Sequence, residues 1–481
     1  MKNYKSMSRM KNSLLFCSLS ILPMVACTSP KQSKPNVIII LADDMGYGDA
    51  GFNGCTDIPT PHIDRIAASG VRFTDGYVTA PQCGPSRAGL LSGISQNRFR
   101  CDTNDDLDNH GIPAGVKLFG DYMKPAGYRT GIVGKWHLGY EEFAHPLVRG
   151  FDWFFGFLAS GSHFLPQEGE EYIRYAKIVE GRETVKVKDY LTDVLGDQAV
   201  RFIEESRDEP FFLYLSFNAP HAPLQAPVEY LEKFKHLAIE GEPGVMCNYT
   251  KKHISHPRQV YAAMVSAMDD AIGRVMVSLA ANSLEENTLV VFLSDNGAPT
   301  HVNYGSNDPL RGFKGDLLEG GIRVPFAMQW KAVVPPGQTV NMPVSSLDLL
   351  PTALAAANIK KPDDVDLDGI NLLPYLTGDK EPEVRTLTWR FPFPPQEVDS
   401  YVWAVRKDDW KLVREKVSED DPQIAFGKTR TGLYLLREDI AEKNDFSDVN
   451  PKKRSELQEI YDTWNDALPV PRTEGRIRFK K

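Results

Sequence analysis

The chain has 481 residues, 42% hydrophobic and 25% charged, with a formal net charge of −9. This is the composition of an ordinary globular protein with a large core, and the length suggests one large domain plus a smaller one. Residues 1–26 carry Lys2, Lys5, Arg9 and Lys11 and no acid, so the remainder stands at −13 (−9 minus 4); so acidic a body argues against nucleic-acid binding and polybasic attachment to membranes.

The first predicted element is a leader. "KNSLLFCSLSILPMVAC" couples a basic start to an apolar run too short to span a bilayer, then small residues before Cys27. This resembles a lipoprotein signal peptide (1–26) with lipidation of Cys27, followed by a linker (27–34). It predicts an exported protein, periplasmic or outer-membrane-anchored in a bacterium. No later stretch is apolar and long enough to cross a membrane.

Four apolar runs then repeat one arrangement, a buried strand with polar groups at its C-terminal end. "NVIIILADDMGYGD" ends in Asp43 and Asp44, "YRTGIVGKWHLG" in Lys135 and His137, "PFFLYLSFNAPHAPL" near His221, and "NTLVVFLSDNGAP" in Asp295 and Asn296. Between them "TPHIDRIAASG" and "QVYAAMVSAMDDAIGRVMVSLAAN" read as helices. Strands alternating with helices predict an α/β domain (35–373) around a mostly parallel sheet, buried on both faces. Ligands bind beyond the carboxyl ends of such strands, so the four clusters should converge on one edge. "APQCGPSRAGLLSG" places Cys83 at a helix start, with Pro85 in the first turn, where negative charge is favoured. Its thiol could serve as nucleophile, disulfide half, metal ligand or precursor of another group. After about residue 373, "SYVWAVRKDDWKLVREK" and "GLYLLRED" alternate like antiparallel strands and "KKRSELQEIYDTWNDAL" reads as an amphipathic helix, giving a small α+β subdomain (374–481).

Asp43, Asp44, Asp295 and Asn296 are all oxygen donors, a set suited to a hard cation, Ca²⁺ more than Mg²⁺. The D-x-D-x-D-G run before Asn371 mimics a calcium loop but puts Tyr375 where a bidentate Glu is required. "GPSRAG" is one residue too long for a serine nucleophile elbow, and "GKW" lacks the spacing of a P-loop. A papain-like pairing of Cys83 with His221 has no local signature and leaves the acids unexplained. Cys55 and Cys101 could form a disulfide in an oxidising compartment, though nothing demands it. His62 and Asp64 read as helix-capping residues, and Arg323 as a structural partner of Glu319.

Taken together, "ADDMGYGD", "CGPSRAGLLSG", "GKWHLG", "NAPHAP", "SDNGAP" and "LRGFKGDLLEGGIRVP", in that order along the chain, resemble the type I, formylglycine-dependent sulfatases of the alkaline-phosphatase-like superfamily. "AVRKDDWKLV" and "LYLL" resemble that family's small second domain. The resemblance implies that a maturase oxidises Cys83 to formylglycine, whose hydrate attacks sulfur through one hydroxyl and expels sulfate when the other is deprotonated. It implies one Ca²⁺ held by Asp43, Asp44, Asp295, Asn296 and residue 83, with Arg87 bonding the diol. Lys135 and Lys314 would hold sulfate oxygens, His137 would act as base in release, and His221 as acid for the leaving oxygen. The implied substrate is a sulfated saccharide of glycosaminoglycan or mucin type, cleaved from its end, with Arg98, Arg100, His163 and His301 as candidate contacts. The rival readings are a phosphatase or phosphodiesterase of the same superfamily, and a non-catalytic glycan-binding lipoprotein.

Overall fold

The computed structural model describes Met1 and residues 34–166, 177–240, 244–246, 253–392, 401–416 and 429–472. The chain divides into two units, Met1–Ser33 and Lys34–Lys481. The leader, Cys27 and Cys247 lie outside the described residues, and the sheets among the described residues, one of ten strands, one of four and two short pairs, belong to the second unit.

Ten strands form one large sheet: β1 (Asn36–Ala42), β2 (Val71–Phe73), β3 (Arg129–Lys135), β4 (Trp153–Phe157), β5 (Val179–Glu180), β6 (Glu183–Thr184), β7 (Phe211–Ser216), β8 (Thr288–Ser294), β9 (Phe326–Gln329) and β10 (Gln338–Val340). They run in the order β10-β2-β9-β8-β1-β7-β3-β4-β5-β6. The central run β8-β1-β7-β3-β4 is wholly parallel, whereas β9 is antiparallel to both its neighbours. β1 explains why an unbroken apolar run belongs here. Its side chains alternate, so Val37, Ile39 and Leu41 enter one core while Ile38 and Ile40 enter the core on the opposite face.

Helices cover both faces. Pro257–Ala281, with Leu191–Glu205 packed against it, lines one side. On the other lies Cys83–Ser92, all ten of its residues buried. No helix among the described residues is long and apolar enough to cross a membrane.

A second sheet is antiparallel throughout: β11 (Thr386–Pro392), β12 (Tyr401–Lys407), β13 (Trp410–Lys416) and β14 (Thr429–Leu435). β11 is not among the strands expected from the sequence; its Pro-rich continuation obscures the alternation Leu387, Trp389, Phe391 that faces the main core. On the other face of this sheet, Trp403 and Leu412 pack on Leu457 and Tyr461 of the terminal helix Pro451–Asp466. Cys55 and Cys101 are both free thiols, so the suggested disulfide is absent.

Candidate active site

The parallel register sets the first contacts. β1 is paired on one side with β8 and on the other with β7, so the residues that follow β1 and β8 emerge side by side. The Asp295 N–H donates to Ala42 O (3.0 Å), and the Asp44 N–H donates to Asp295 Oδ1 (3.1 Å). β3 brings Lys135 to the same edge. Its pairing with β7 is close because Gly134 (φ +105°) has no Cβ; one there would lie 1.9 Å from Ser216 O.

Cys83 opens its helix directly over this edge. Its Sγ lies 3.4 Å from Asp43 Oδ1, 3.9 Å from Asp44 Oδ1 and 3.1 Å from Lys314 Nζ. One turn along, Arg87 donates through Nε (2.9 Å) and Nη2 (2.7 Å) to Asp295 Oδ2, and through Nη1 to Lys135 O (3.2 Å) and Ser216 Oγ. Lys135 Nζ reaches Asp43 Oδ2 (2.6 Å), and Lys314 Nζ reaches Asp44 Oδ1 (2.7 Å). His221 Nε2 is 3.5 Å from Asp44 Oδ2, with its Nδ1 2.5 Å from Ala222 O. His137 Nε2 is 3.6 Å from Asp108 Oδ1, too long for a hydrogen bond, and neither ring nitrogen has a hydrogen-bond partner. Two non-glycine residues of the site, Asp44 (φ +66°) and His137 (φ +57°), sit in left-handed backbone, the kind of local strain that gathers where geometry is imposed for function.

Three carboxylates (Asp43, Asp44, Asp295) are thus buried against three permanent cations (Arg87, Lys135, Lys314). Burial pushes the Asp295 carboxyl up, and the Asp43 charge adds to it. For Asp44 burial acts the same way, but the Lys314 and His221 charges outweigh it and hold the carboxyl low. Burial raises the Cys83 thiol, helped by Asp295, so a free thiol here stays protonated. Burial also depresses both histidines, His137 to about 4 against the pull of Asp108 and His221 to about 3 against that of Asp44.

The oxygen donors Asp43, Asp44 and Asn296 suit a hard divalent cation, while Asp295 lies outside the group of ligand atoms gathered around Cys83. Asp43, Asp44, Cys83 and His221 present ligand atoms within 4.8 Å of one another, and Asn296 Oδ1 is a buried acceptor without a partner. Such an orphan is costly unless something occupies it.

The candidate substrate residues divide. His163 lies on the loop whose Gly161 packs beside His221 and whose Ser162 O accepts from Asn218 Nδ2 (3.5 Å). The His301 ring sits edge-on against Phe313, next to Lys314, at 4.8 Å between centroids. Arg98 and Arg100 lie instead beyond the far end of the Cys83 helix, which rises about 15 Å over its length. Arg98 is spent on Asp368 Oδ1 (2.8 Å) and Asp366 O (3.0 Å), so the calcium-like run serves as an ion-pair partner; Arg100 is exposed at the end of the turn Gln96–Phe99. Asp64 accepts from Phe52 N and Thr60 Oγ1, and Arg323 pairs with Glu319 (3.1 Å), both structural as expected.

Sequence reasoning missed Asp108, which stands beside His137 and accepts from the Tyr140 hydroxyl (3.1 Å), and Asn104, whose Oδ1 accepts the Gly84 N–H (2.9 Å) behind Cys83. Both lie in "TNDDLDNHG", where an acid-rich turn signals a helix start and nothing ranks one acid above another.

The sulfatase family model matches residues 35–359, and the model of the N-sulphoglucosamine sulphohydrolase C-terminal region matches 314–461. The uncharacterized sulfatase YdeN of Escherichia coli is 29% identical over 92% of this chain and 87% of its own. The N-acetylgalactosamine-6-sulfatase of Mus musculus is 34% identical over 75% of this chain and 69% of its own. The solved structure of Ps i-CgsB in complex with k-i-k-neocarrahexaose superposes with a TM-score of 0.80 at 33% identity, covering 91% of this chain and 94% of that one. With strands, charges and helix-borne cysteine converging as they do, the chain belongs to the sulfatase family and is a sulfuric ester hydrolase.

Proposed function

We propose that the protein is a calcium-dependent exo-sulfatase that removes sulfate from saccharide sulfate monoesters, using a formylglycine made from Cys83 by a maturase. The observation that carries this reading is the position of Cys83 Sγ, at a helix start and within 4 Å of Asp43, Asp44 and Lys314 together. The family generally uses formylglycine and a divalent metal. A relative named as an N-acetylgalactosamine-6-sulfatase and a neighbour solved in complex with k-i-k-neocarrahexaose support a sugar as the alcohol. The leader supports export, with a lipid anchor on Cys27.

Asp43, Asp44, Asp295 and Asn296 would hold the calcium ion, which when bound would supply Lewis acidity toward the sulfate oxygens and the hydrated residue 83. The chain's own groups do the rest. Three acids against three bases leave the site neutral, so a divalent ion is matched by one anionic sulfate ester and one ionised diol. Lys135 and Lys314 hold the sulfate oxygens as charge moves off sulfur. His221 gives its proton to the departing sugar oxygen, its protonated form favoured when the anionic ester arrives beside it. His137, neutral and without a hydrogen-bond partner, takes the proton of the second hydroxyl.

The test is peptide mass spectrometry of protein made with a maturase, joined to release of inorganic sulfate from defined sulfated mono- and disaccharides. Residue 83 is expected about 18 Da lighter than cysteine, with sulfate turnover far above phosphate turnover. An unmodified thiol in fully active enzyme overturns the mechanism, and a preference for phosphate esters overturns the reaction class.

A further inference from the structure

Lys314 comes from none of the parallel strands. It sits on the loop 311–319, and the second sheet holds that loop. Period-two alternation puts Lys411, Val413 and Glu415 of β13 on one face, and Val413 belongs to the main core. Glu415 accepts a fork from Arg311, Nη1 to Oε2 at 2.9 Å and Nη2 to Oε1 at 3.2 Å, and is braced by Arg430 Nε (2.9 Å). Lys411, fully buried, donates to Glu319 Oε1 (2.8 Å) and pairs with Glu442 Oε1 (2.9 Å). Residues 311 and 319 meet at the loop's neck, where Gly320 N–H donates to Arg311 O (2.7 Å). Their side chains diverge to two points about 13 Å apart on one strand.

The tip is pinned as well. Gly315, at φ +96°, donates its N–H to Pro81 O (2.9 Å), two residues before Cys83, and its carbonyl accepts from Lys416 Nζ (3.4 Å). Lysine is a point charge on a flexible four-carbon stem, so where its ammonium rests depends on how firmly its backbone is held.

We infer that β13 is a positioning element for the reaction, with Glu415 and Lys411 anchoring the two ends of the 311–319 loop so that Lys314 stays against residue 83 and Asp44. This rests on the reading of Lys314 as a sulfate-holding group. Neither anchor touches the reacting atoms; both act through Lys314.

The experiment measures kcat and KM on an activated aryl sulfate for Glu415→Gln, alone and in a Lys314→Met background followed with excess enzyme. Formylglycine content is checked by mass spectrometry. Glu415→Gln should lower kcat/KM about tenfold, since small misplacements of binding groups cost up to about a hundredfold. In the Lys314→Met background the same change should cost less than about twofold, because an effect routed through Lys314 is not additive with its loss. An equal loss in both backgrounds, or none in the parent, overturns the positioning role. Wild-type activity in Lys314→Met alone overturns the reading of Lys314 itself and is told apart from a failed clamp. If Glu415→Gln does not fold, Arg311→Lys, which keeps the charge and loses the fork, carries the same expectations.

Discussion

At the rim of the large sheet Asp43, Asp44 and Asp295 face Arg87, Lys135 and Lys314; between the two sheets Asp75, Glu319 and Glu442 face Arg323, Arg406 and Lys411. Charge balance is the same, three against three, and every member of both clusters is buried except Lys314, which is partly exposed. What differs is how the polar atoms are used. Between the sheets the Tyr77 hydroxyl donates to Glu319 Oε2 (2.6 Å) and accepts from Arg406. Arg323 reaches both Asp75 and Glu319. There burial pushes the Glu319 carboxyl up, but Lys411 and Arg323 outweigh it and hold it low. At the rim, Asn296 Oδ1 and both His137 nitrogens stay without hydrogen bonds, and Asp44 and His137 sit in left-handed backbone. Balanced charge makes burial tolerable in both places. Between the sheets Glu442 Oε1 also lacks a hydrogen bond, but it lies 2.9 Å from the Lys411 ammonium; at the rim the unspent atoms face no counter-charge so close, which marks that cluster as the one built to receive something from outside.

Breaking each cluster should therefore give different losses. Cys83→Ala at the rim should cut turnover by at least about 10⁴-fold and leave the thermal midpoint essentially unchanged; retained turnover would show that residue 83 does no chemistry. Arg406→Met should do the reverse. It removes one partner of a buried network, so denaturant unfolding should report a loss of about 3–5 kcal/mol, and a loss below about 1 kcal/mol would reduce this network to the value of an exposed pair. His221→Ala should slow an alkyl sulfate about a hundredfold and an activated aryl sulfate far less, because a good leaving group needs little help from an acid; equal losses would place the acid elsewhere. Calcium at ten times its Kd should stabilise the wild type by about 1.4 kcal/mol. That gain should vanish in Asp295→Asn and persist in a folded Arg406→Met variant; if Asp295→Asn keeps it, the ion binds away from the rim.

Much of the rim was legible in the sequence. Asp43, Asp44, Lys135, Asp295 and Asn296 each follow an apolar run short enough to be a buried strand, and the rule that parallel sheets bind at their carboxyl ends brings them together. The small sheet was legible in β12, β13 and β14 and not in β11. Asp108, Asn104 and Ser216 were not, because a lone acid, amide or hydroxyl in a polar turn or at a strand end has many ordinary uses. Arg98 shows the converse. A basic residue just past the signature helix invites a substrate role, but in space the nearest anion is Asp368, 270 residues later.

The sequence by itself determined which segments become strands and helices, since side-chain periodicity and β-branched or proline-led runs act over a few residues. It also determined the chemical kinds present, hard oxygen donors, two histidines and a cysteine poised at a helix start. Only the tertiary structure decided which charges meet. Asp43 and Cys83 are 40 residues apart and Asp44 and Lys314 are 270 apart. Contacts at such separations follow from sheet order and packing, where a cation takes whichever carboxylate the fold delivers to it.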